Sequence, residues 1–348
     1  MWLTIIFVIM MTVVFMHLCR KMAPYLGLLD RPLEDRKKHI RVTPTVGGIV
    51  IFTTLCLSLW LFSGLSFSFF MPLLAGMAGY IAIGVYDDIK HIRPLIKMAW
   101  QVAVAIVFVL VTGVKITYLG EIFGLGPLGT GLFAIPFTIL CIVALINAFN
   151  WIDGLDGLAG GCILGMLVLL IYATPKTTMS PVLIISSATI FGFLMFNMRS
   201  HWRKHALVFL GDAGSLSLGF MLSCLVIFLT QDKSTGVLSP IVAAWIISYP
   251  IFDMVSCMLN RKLAKKSIYQ ADNMHAHFLL QTLGCSPKTT SYILVAVSFL
   301  YGAVGVLGDQ IGIPEVGLAV MWGLGLALHF WVVRLLLNRS KKQDLLAA

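Results

Sequence analysis

Charge is scarce in this chain. Of 348 residues only 11% are Asp, Glu, Lys or Arg, against 59% hydrophobic, and the mean hydropathy is +0.94. An ordinary soluble domain carries about a quarter charged residues, so a water-soluble globular protein is excluded. Paired cysteines are missing as well. The seven cysteines, at 19, 56, 141, 162, 224, 257 and 285, lie singly and mostly within apolar runs, without a CxxC, which excludes a disulfide framework and a thiolate metal cluster. There is no internal repeat, no low-complexity tract and no polar stretch large enough for a soluble domain. The first apolar run lacks a small-residue cleavage site before the basic cluster at Arg20, so it reads as a retained helix and not a removed signal peptide. The net charge of +10 has no basic domain or aromatic-basic module behind it, and nucleic acid is not expected as a partner.

What is present is a succession of apolar runs at 2–19, 46–62, 70–86, 98–112, 132–149, 158–173, 182–197, 206–229, 237–259, 292–307 and 316–337. A bilayer crossing needs roughly 20 apolar residues, fewer in a short span. The expectation is an all-α polytopic membrane protein, one integral-membrane domain over 1–348 with about eleven transmembrane helices. Taken loop by loop, 22 of the 25 Lys and Arg fall in alternate loops and the C-terminal tail. By the positive-inside rule the N-terminus is outside, the C-terminus is cytoplasmic, and the cytoplasmic loops lie at about 20–45, 87–97, 150–157, 198–206 and 260–290.

The 15 acidic residues carry more information, because a carboxylate beside the apolar phase is expensive. Glu121, Asp232, Asp309 and Glu315 fall on the outer side and read as solvated. Asp87, Asp88, Asp153, Asp156, Asp212 and Asp253 fall at the cytoplasmic ends of apolar runs, and carboxylates converging at one depth make a site. Asp87 and Asp88 end the third run, where acids oppose the helix macrodipole; a metal- or proton-handling pair is expected there, the alternative being an interfacial pair balanced by Lys90. The block Asn147-Ala148-Phe149-Asn150-Trp151-Ile152-Asp153-Gly154-Leu155-Asp156-Gly157 repeats a polar side chain every three residues. Neighbours three apart share a helix face, and no Lys or Arg stands in that loop to pair with the acids.

Phe209-Leu210-Gly211-Asp212-Ala213-Gly214-Ser215 opens the eighth run with small residues and an acid suited to a hard metal ion, or to an N-cap. Asp253 follows Pro250 and could pair structurally with Arg261 or Lys262. In the ninth loop His275 and His277 are suited to hydrogen-bonding phosphate, the alternative being exposed loop histidines. His39, within the basic run Arg36-Lys37-Lys38-His39-Ile40-Arg41, either only signals topology or also holds an anion.

Together with Arg41-Val42-Thr43-Pro44-Thr45-Val46-Gly47-Gly48, these motifs resemble, in order and spacing, the polyprenyl-phosphate N-acetylhexosamine-1-phosphate transferases, over about residues 30–284. The stretch 249–284 and the eleven-span plan look more like the enzymes that use undecaprenyl phosphate and N-acetylglucosamine in surface-polysaccharide synthesis. The resemblance implies transfer of N-acetylglucosamine 1-phosphate from UDP-N-acetylglucosamine to undecaprenyl phosphate, with release of UMP, at the cytoplasmic face of a bacterial inner membrane. It implies magnesium, with manganese as the alternative ion, and a homodimer as a further arrangement. Asp212 and Asp156 would hold metal, and Asp87, Asp88 and Asp156 would be catalytic, the first two on the lipid phosphate or its proton. Thr45, Asn147, Asn150, Asp153, Phe209, His275 and His277 would bind substrate, Phe209 by stacking on uracil. The related enzymes carry His-Ile-His-His where this chain has His275-Ala276-His277-Phe278.

Other UDP-sugars, namely another UDP-N-acetylhexosamine or UDP-N-acetylmuramoyl-pentapeptide, are the alternatives for the donor. The rival from another class is a cation-coupled membrane transporter. That would set its acids near the bilayer midplane and show inverted-repeat symmetry; here the acids cluster at one face and no repeat is seen.

Overall fold

A computed structural model describes residues 2–30, 42–231, 237–267 and 273–347, with side chains to Ser340. The basic run 36–41 and the acids Asp232 and Asp272 lie outside the described residues.

Thirteen helices are seen among the described residues: α1 Trp2–Leu26, α2 Gly47–Phe62, α3 Phe67–Lys90, α4 Pro94–Thr112, α5 Ala134–Ile152, α6 Leu158–Ala173, α7 Ser180–Asn197, α8 Gly211–Gln231, α9 Pro240–Ile246, α10 Ser248–Leu263, α11 Ala276–Thr282, α12 Pro287–Gln310 and α13 Glu315–Ala347. The sheet is a single antiparallel pair of two-residue strands, β1 Leu29–Asp30 and β2 Thr43–Pro44. Eight helices are long and apolar enough to cross a membrane, and α9 with α10 makes a ninth span if taken as one broken crossing. Two more apolar helices, α2 and α6, are 16 residues each. The all-helical membrane architecture is therefore as expected.

The differences are local and have identifiable causes. α1 runs past the expected end at residue 19 and carries Arg20 and Lys21 on its last turns, ending at Leu26 just after Pro24. α3 likewise continues through Asp87 and Asp88 to Lys90, and stops where His91 turns left-handed and donates its N–H to the Asp87 carbonyl at 2.9 Å. α9 and α10 meet at a 72° bend at Ile247. Pro250 lacks an N–H and its ring clashes with the carbonyl four residues earlier, that of Ile246, so the break falls before the proline and not at it.

Residues 206–210, expected within the eighth span, are instead outside any helix and precede α8. Phe209 donates its N–H to the Pro44 carbonyl at 2.8 Å, and the Phe209 and Leu210 carbonyls accept from Gly47 and Gly48 at 3.1 and 3.0 Å. This pairing lays the Thr-Pro-Thr-Val-Gly-Gly motif against the approach to α8.

α8 is the axis of the molecule. From Ala213 to Leu225 every residue is buried, against α3, α5 and α2. Such close packing needs missing side chains: a Cβ on Gly84 of α3 would lie 2.3 Å from the Ala213 backbone, and one on Gly48 of α2 would lie 2.3 Å from the Gly214 nitrogen. Without a driving force from water, helices in lipid associate through such small-residue contacts. Their consequence is that the C-terminal end of α3 is drawn onto the first turn of α8, with Asp87 and Asp88 beside Asp212.

Candidate active site

The carboxylates of α3 and α8 meet around one cation. Asp88 Oδ1 accepts the Asp212 backbone N–H at 3.0 Å, so an acid from one helix caps the N-terminus of another, where the dipole favours negative charge. Its Oδ2 is buried without a hydrogen-bond partner among the described residues. Lys97, on the first turn of α4, sets Nζ 2.9 Å from Asp87 Oδ2 and 2.5 Å from Asp212 Oδ2. Asn150, near the end of α5, donates Nδ2 to Asp212 Oδ1 at 2.6 Å and to Ser215 Oγ at 2.9 Å. Asp87 Oδ1 accepts the Ile92 N–H at 2.8 Å, which ties the α3–α4 turn to the cluster. Four elements thus contribute to one group: Asp87 and Asp88, Lys97, Asn150, and Asp212 with Ser215.

Asp153, just beyond the end of α5, extends this group. Burial, followed by the charges of Asp212, Asp88 and Asp156, pushes its carboxyl well above the usual carboxylate range. A site that holds so much negative potential at one point favours a bound cation. Thr45 is buried beside it, its Cβ 3.4 Å from where a side chain on Gly211 would begin.

Asp156 is placed differently. Its Oδ2 accepts Arg199 Nε at 2.7 Å and the Ala206 N–H at 3.1 Å, and its carbonyl accepts Ser291 Oγ at 3.0 Å. The acid without a partner in its own loop thus finds one in the α7–α8 loop, and it has no hydrogen bond to the Asp88–Asp212 group. Asn147 also turns away. It donates to Gln101 Oε1 at 2.6 Å and to the Val143 carbonyl at 2.8 Å, and Gln101 lies one helical turn behind Lys97 on α4. Phe209 is half-buried on the segment leading into α8, hydrogen-bonded to Pro44 and Gly47.

The two histidines are not exposed. His275 is 5% and His277 0% accessible, and their rings stack at 5.7 Å. Asp253, fully buried, pairs not with Arg261 or Lys262 but with His275, Nδ1 to Oδ2 at 2.7 Å, while its Oδ1 accepts the Ala276 N–H at 2.9 Å at the start of α11. Arg261 instead lies over the Trp151 ring, 5.1 Å from its centre. The histidines reach the α5–α6 loop directly: a Cβ on Gly154 would sit 2.3 Å from His277 Nε2, so the glycine between Asp153 and Asp156 is what lets His277 in. Phe278, standing where the related enzymes have a third histidine, packs on His277 at 4.1 Å between ring centres.

Sequence reading alone did not find Lys97, Arg199, Ser215 or Gln101. Lys97 and Arg199 carried only the signal of cations in loops rich in them, beside Lys90 and Arg93 in one and Arg203 and Lys204 in the other, and that signal is the same one that sets topology.

A family model described as glycosyl transferase family 4 matches residues 70–230, the stretch from α3 to α8. The undecaprenyl-phosphate alpha-N-acetylglucosaminyl 1-phosphate transferase of Escherichia coli (strain K12) is 30% identical over 338 residues, covering 95% of this chain and 90% of the relative. The chain belongs to glycosyl transferase family 4. The like-named enzyme of Yersinia pestis is 29% identical over 334 residues, with 95% and 90% covered. A probable undecaprenyl-phosphate N-acetylglucosaminyl 1-phosphate transferase of Bacillus subtilis (strain 168) is 31% identical over 286 residues, 81% of this chain and 77% of the relative. The matched family segment contains Asp87, Asp88, Lys97, Asn150 and Asp212, so the cluster built above lies wholly within it.

The same geometry limits which residues could hold a metal ion. Among the described residues no three His, Cys, Asp or Glu side chains converge as a complete metal cage. Magnesium does not ask for one, since it is ordinarily held by one or two carboxylates together with substrate phosphates and water. Asp88, with a buried oxygen lacking a partner, and Asp212 fit that demand. Asp156 is engaged by Arg199 as Asp212 is by Lys97, but it has no hydrogen bond to the Asp88–Asp212 group.

Proposed function

We propose that this glycosyl transferase family 4 member transfers N-acetylglucosamine 1-phosphate from UDP-N-acetylglucosamine to undecaprenyl phosphate, giving a lipid-linked pyrophosphate sugar and UMP. The observation that carries the reading is the joint one. The relatives so named align along 95% of the chain, and the aligned part holds a carboxylate cluster at the meeting of four helix ends. Phosphoryl transfer between two anions needs positioning and charge compensation more than covalent chemistry, and this cluster supplies both.

The roles follow from placement. Asp88 and Asp212 would hold magnesium, or manganese in its place. The ion, when bound, would compensate phosphate charge during transfer. Lys97 holds Asp87 and Asp212 at a fixed separation and offers a positive charge to a phosphate oxygen. Asn150 orients Asp212 by donating to the oxygen that Lys97 leaves. Asp87, on the turn where α3 ends, meets the lipid phosphate or accepts its proton. Asp153, Phe209, His275 and His277 face the donor, with Asp253 behind His275. Asn147 belongs to the α4–α5 packing behind the site, and Asp156 organises Arg199 and the α7–α8 loop.

The active face is cytoplasmic in this reading, on a bacterial inner-membrane protein crossing eleven times with its N-terminus outside. The support for that orientation is the unequal distribution of Lys and Arg between alternate loops.

The test is incubation of the purified protein with magnesium, undecaprenyl phosphate and a panel of UDP-sugars, following UMP release. Release with UDP-N-acetylglucosamine is expected. Release only with another UDP-N-acetylhexosamine or with UDP-N-acetylmuramoyl-pentapeptide would overturn the donor, and release with none of them the reaction.

A further inference from the structure

Outside the carboxylate cluster, a strongly basic cleft of about 180 Å³ lies between the α7–α8 loop and the start of α12. Arg199, Arg203, Lys204 and Lys288 line it, beside Ser200 and Ser286. No carboxylate lines it. Arg199 shares its Nε with Asp156, but Arg203, Lys204 and Lys288 have no ion pair among the described residues. Lys288 has only the Tyr292 ring, 5.9 Å from its Nζ to the ring centre. Ser286 Oγ accepts the Thr289 N–H at 3.1 Å and lies 2.8 Å from Thr289 Oγ1, so the cleft's charged donors are the four cations.

Topology alone asks for basic residues on one side of the membrane, but it does not ask that they face each other. Like charges gathered around one cleft repel, and an anion between them removes that cost. The side chains suit phosphate: Arg offers a planar fork and Lys a point charge. The surroundings suit a lipid. The cleft lies where apolar helix α7 ends and apolar helix α12 begins. Trp202, between Ser200 and Arg203, is 92% exposed, and Tyr292, one turn into α12, is 44% exposed. Exposed Trp and Tyr beside basic residues are the signature of the headgroup layer. A cleft this size admits a headgroup phosphate and excludes a folded partner.

We propose that this cleft is a binding site for the phosphate of an anionic phospholipid headgroup, separate from both reacting substrates. It is tied to the active site by two contacts. Arg199 reaches Asp156 from the cleft, and Tyr292 donates its hydroxyl to the Arg199 carbonyl at 3.1 Å. A headgroup sharing the Arg199 guanidinium with Asp156 would therefore steady the loop that carries Asp153 and Gly154.

The binding test does not depend on the transferase reading. Native mass spectrometry of the purified chain, titrated with phosphatidylglycerol and separately with phosphatidylcholine, counts retained lipid. The site variant is Arg203→Gln/Lys204→Gln/Lys288→Gln. The control, Arg20→Gln/Lys21→Gln/Lys265→Gln, removes equal charge from exposed positions elsewhere. We expect one phosphatidylglycerol to be held at least tenfold more tightly by the parent and the control than by the site variant, with phosphatidylcholine indifferent to all three. Equal retention by the site variant and the control overturns the site. Displacement of the bound lipid by millimolar inorganic phosphate, with equal affinity for both lipids, overturns the headgroup as ligand. If the triple variant does not purify, Lys288→Gln and Arg203→Gln singly carry the same comparison, each with at least a twofold loss expected.

Discussion

Lys97 is the residue on which the carboxylate cluster most depends, and replacing it with Met makes two predictions of opposite sign. Its ammonium lies 2.9 Å from Asp87 and 2.5 Å from Asp212, so those two carboxylate oxygens lie within 5.4 Å of each other. With the cation removed, two unit charges at that separation repel by about 3 kcal/mol at the effective dielectric of about 20 that suits such sites. Leaving one partner of a buried pair uncompensated costs about 3–5 kcal/mol by general experience, so the figure is of the right size. The cluster can relieve it by spreading apart, by taking up a proton or by binding a divalent ion. Transfer should fall by about 100-fold or more, because the acids lose their fixed spacing. Half-saturation by magnesium should move the other way, towards tighter binding by up to about 100-fold, since about 3 kcal/mol is two factors of ten. UMP release measured across a magnesium titration gives both quantities, and thermal unfolding with and without magnesium gives the second independently. A variant that merely misfolds would lose activity without tighter metal binding. Turnover within threefold of the parent, at an unchanged magnesium requirement, would refute the cluster as the site.

Asp88→Asn should cripple transfer while leaving UDP-sugar binding within tenfold, about 1.4 kcal/mol, whereas Asp156→Ala should weaken donor binding by more than that, because Arg199 and the α7–α8 loop lose their anchor; calorimetric titration of donor into each purified variant distinguishes them. Asp153 has a raised carboxyl, so its contribution to stability is present below the ordinary carboxylate range and lost as pH rises through its folded value. Asp153→Asn should therefore raise the unfolding midpoint in metal-free buffer at pH 7–8, by about 2–4 °C for each kcal/mol relieved, and change little near pH 4. In a cysteine-free background, a cysteine at Gly126 should be labelled by an impermeant maleimide outside intact cells and one at Ser340 should not; the reverse pattern inverts the topology.

How much of this was legible beforehand depends on what kind of fact each residue represents. Asp87, Asp88, Asn150 and Asp212 stood out because polar groups at the ends of apolar runs are costly, and cost is visible in one dimension. That they meet was not visible. It depends on Gly84 and Gly48, which allow α3 and α2 to close on the first turn of α8, and a glycine in an apolar run reads equally well as a packing contact or as nothing. The bend before α10 has Pro250 as its cause but falls at Ile247, three residues ahead of it, because a proline disturbs the carbonyl one turn behind it and not its own position.

Cations were the blind spot, for a reason that generalises. Lys97 and Arg199 count towards the same charge asymmetry that orients the chain, and a residue explained once attracts no second explanation. Yet Lys97 bridges two acids from different helices, and Arg199 satisfies the one carboxylate of the Asn/Asp block that the main cluster leaves out. The partner of Asp253 shows the same thing: the structural alternative weighed only the nearest cations in sequence, Arg261 and Lys262, whereas the partner is His275, 22 residues on. In a polytopic membrane protein, sequence distance is at its weakest as a stand-in for spatial distance. Every second crossing returns the chain to the same face, roughly forty residues on, so the partner of a buried charge can lie on another loop of that face and not on its own.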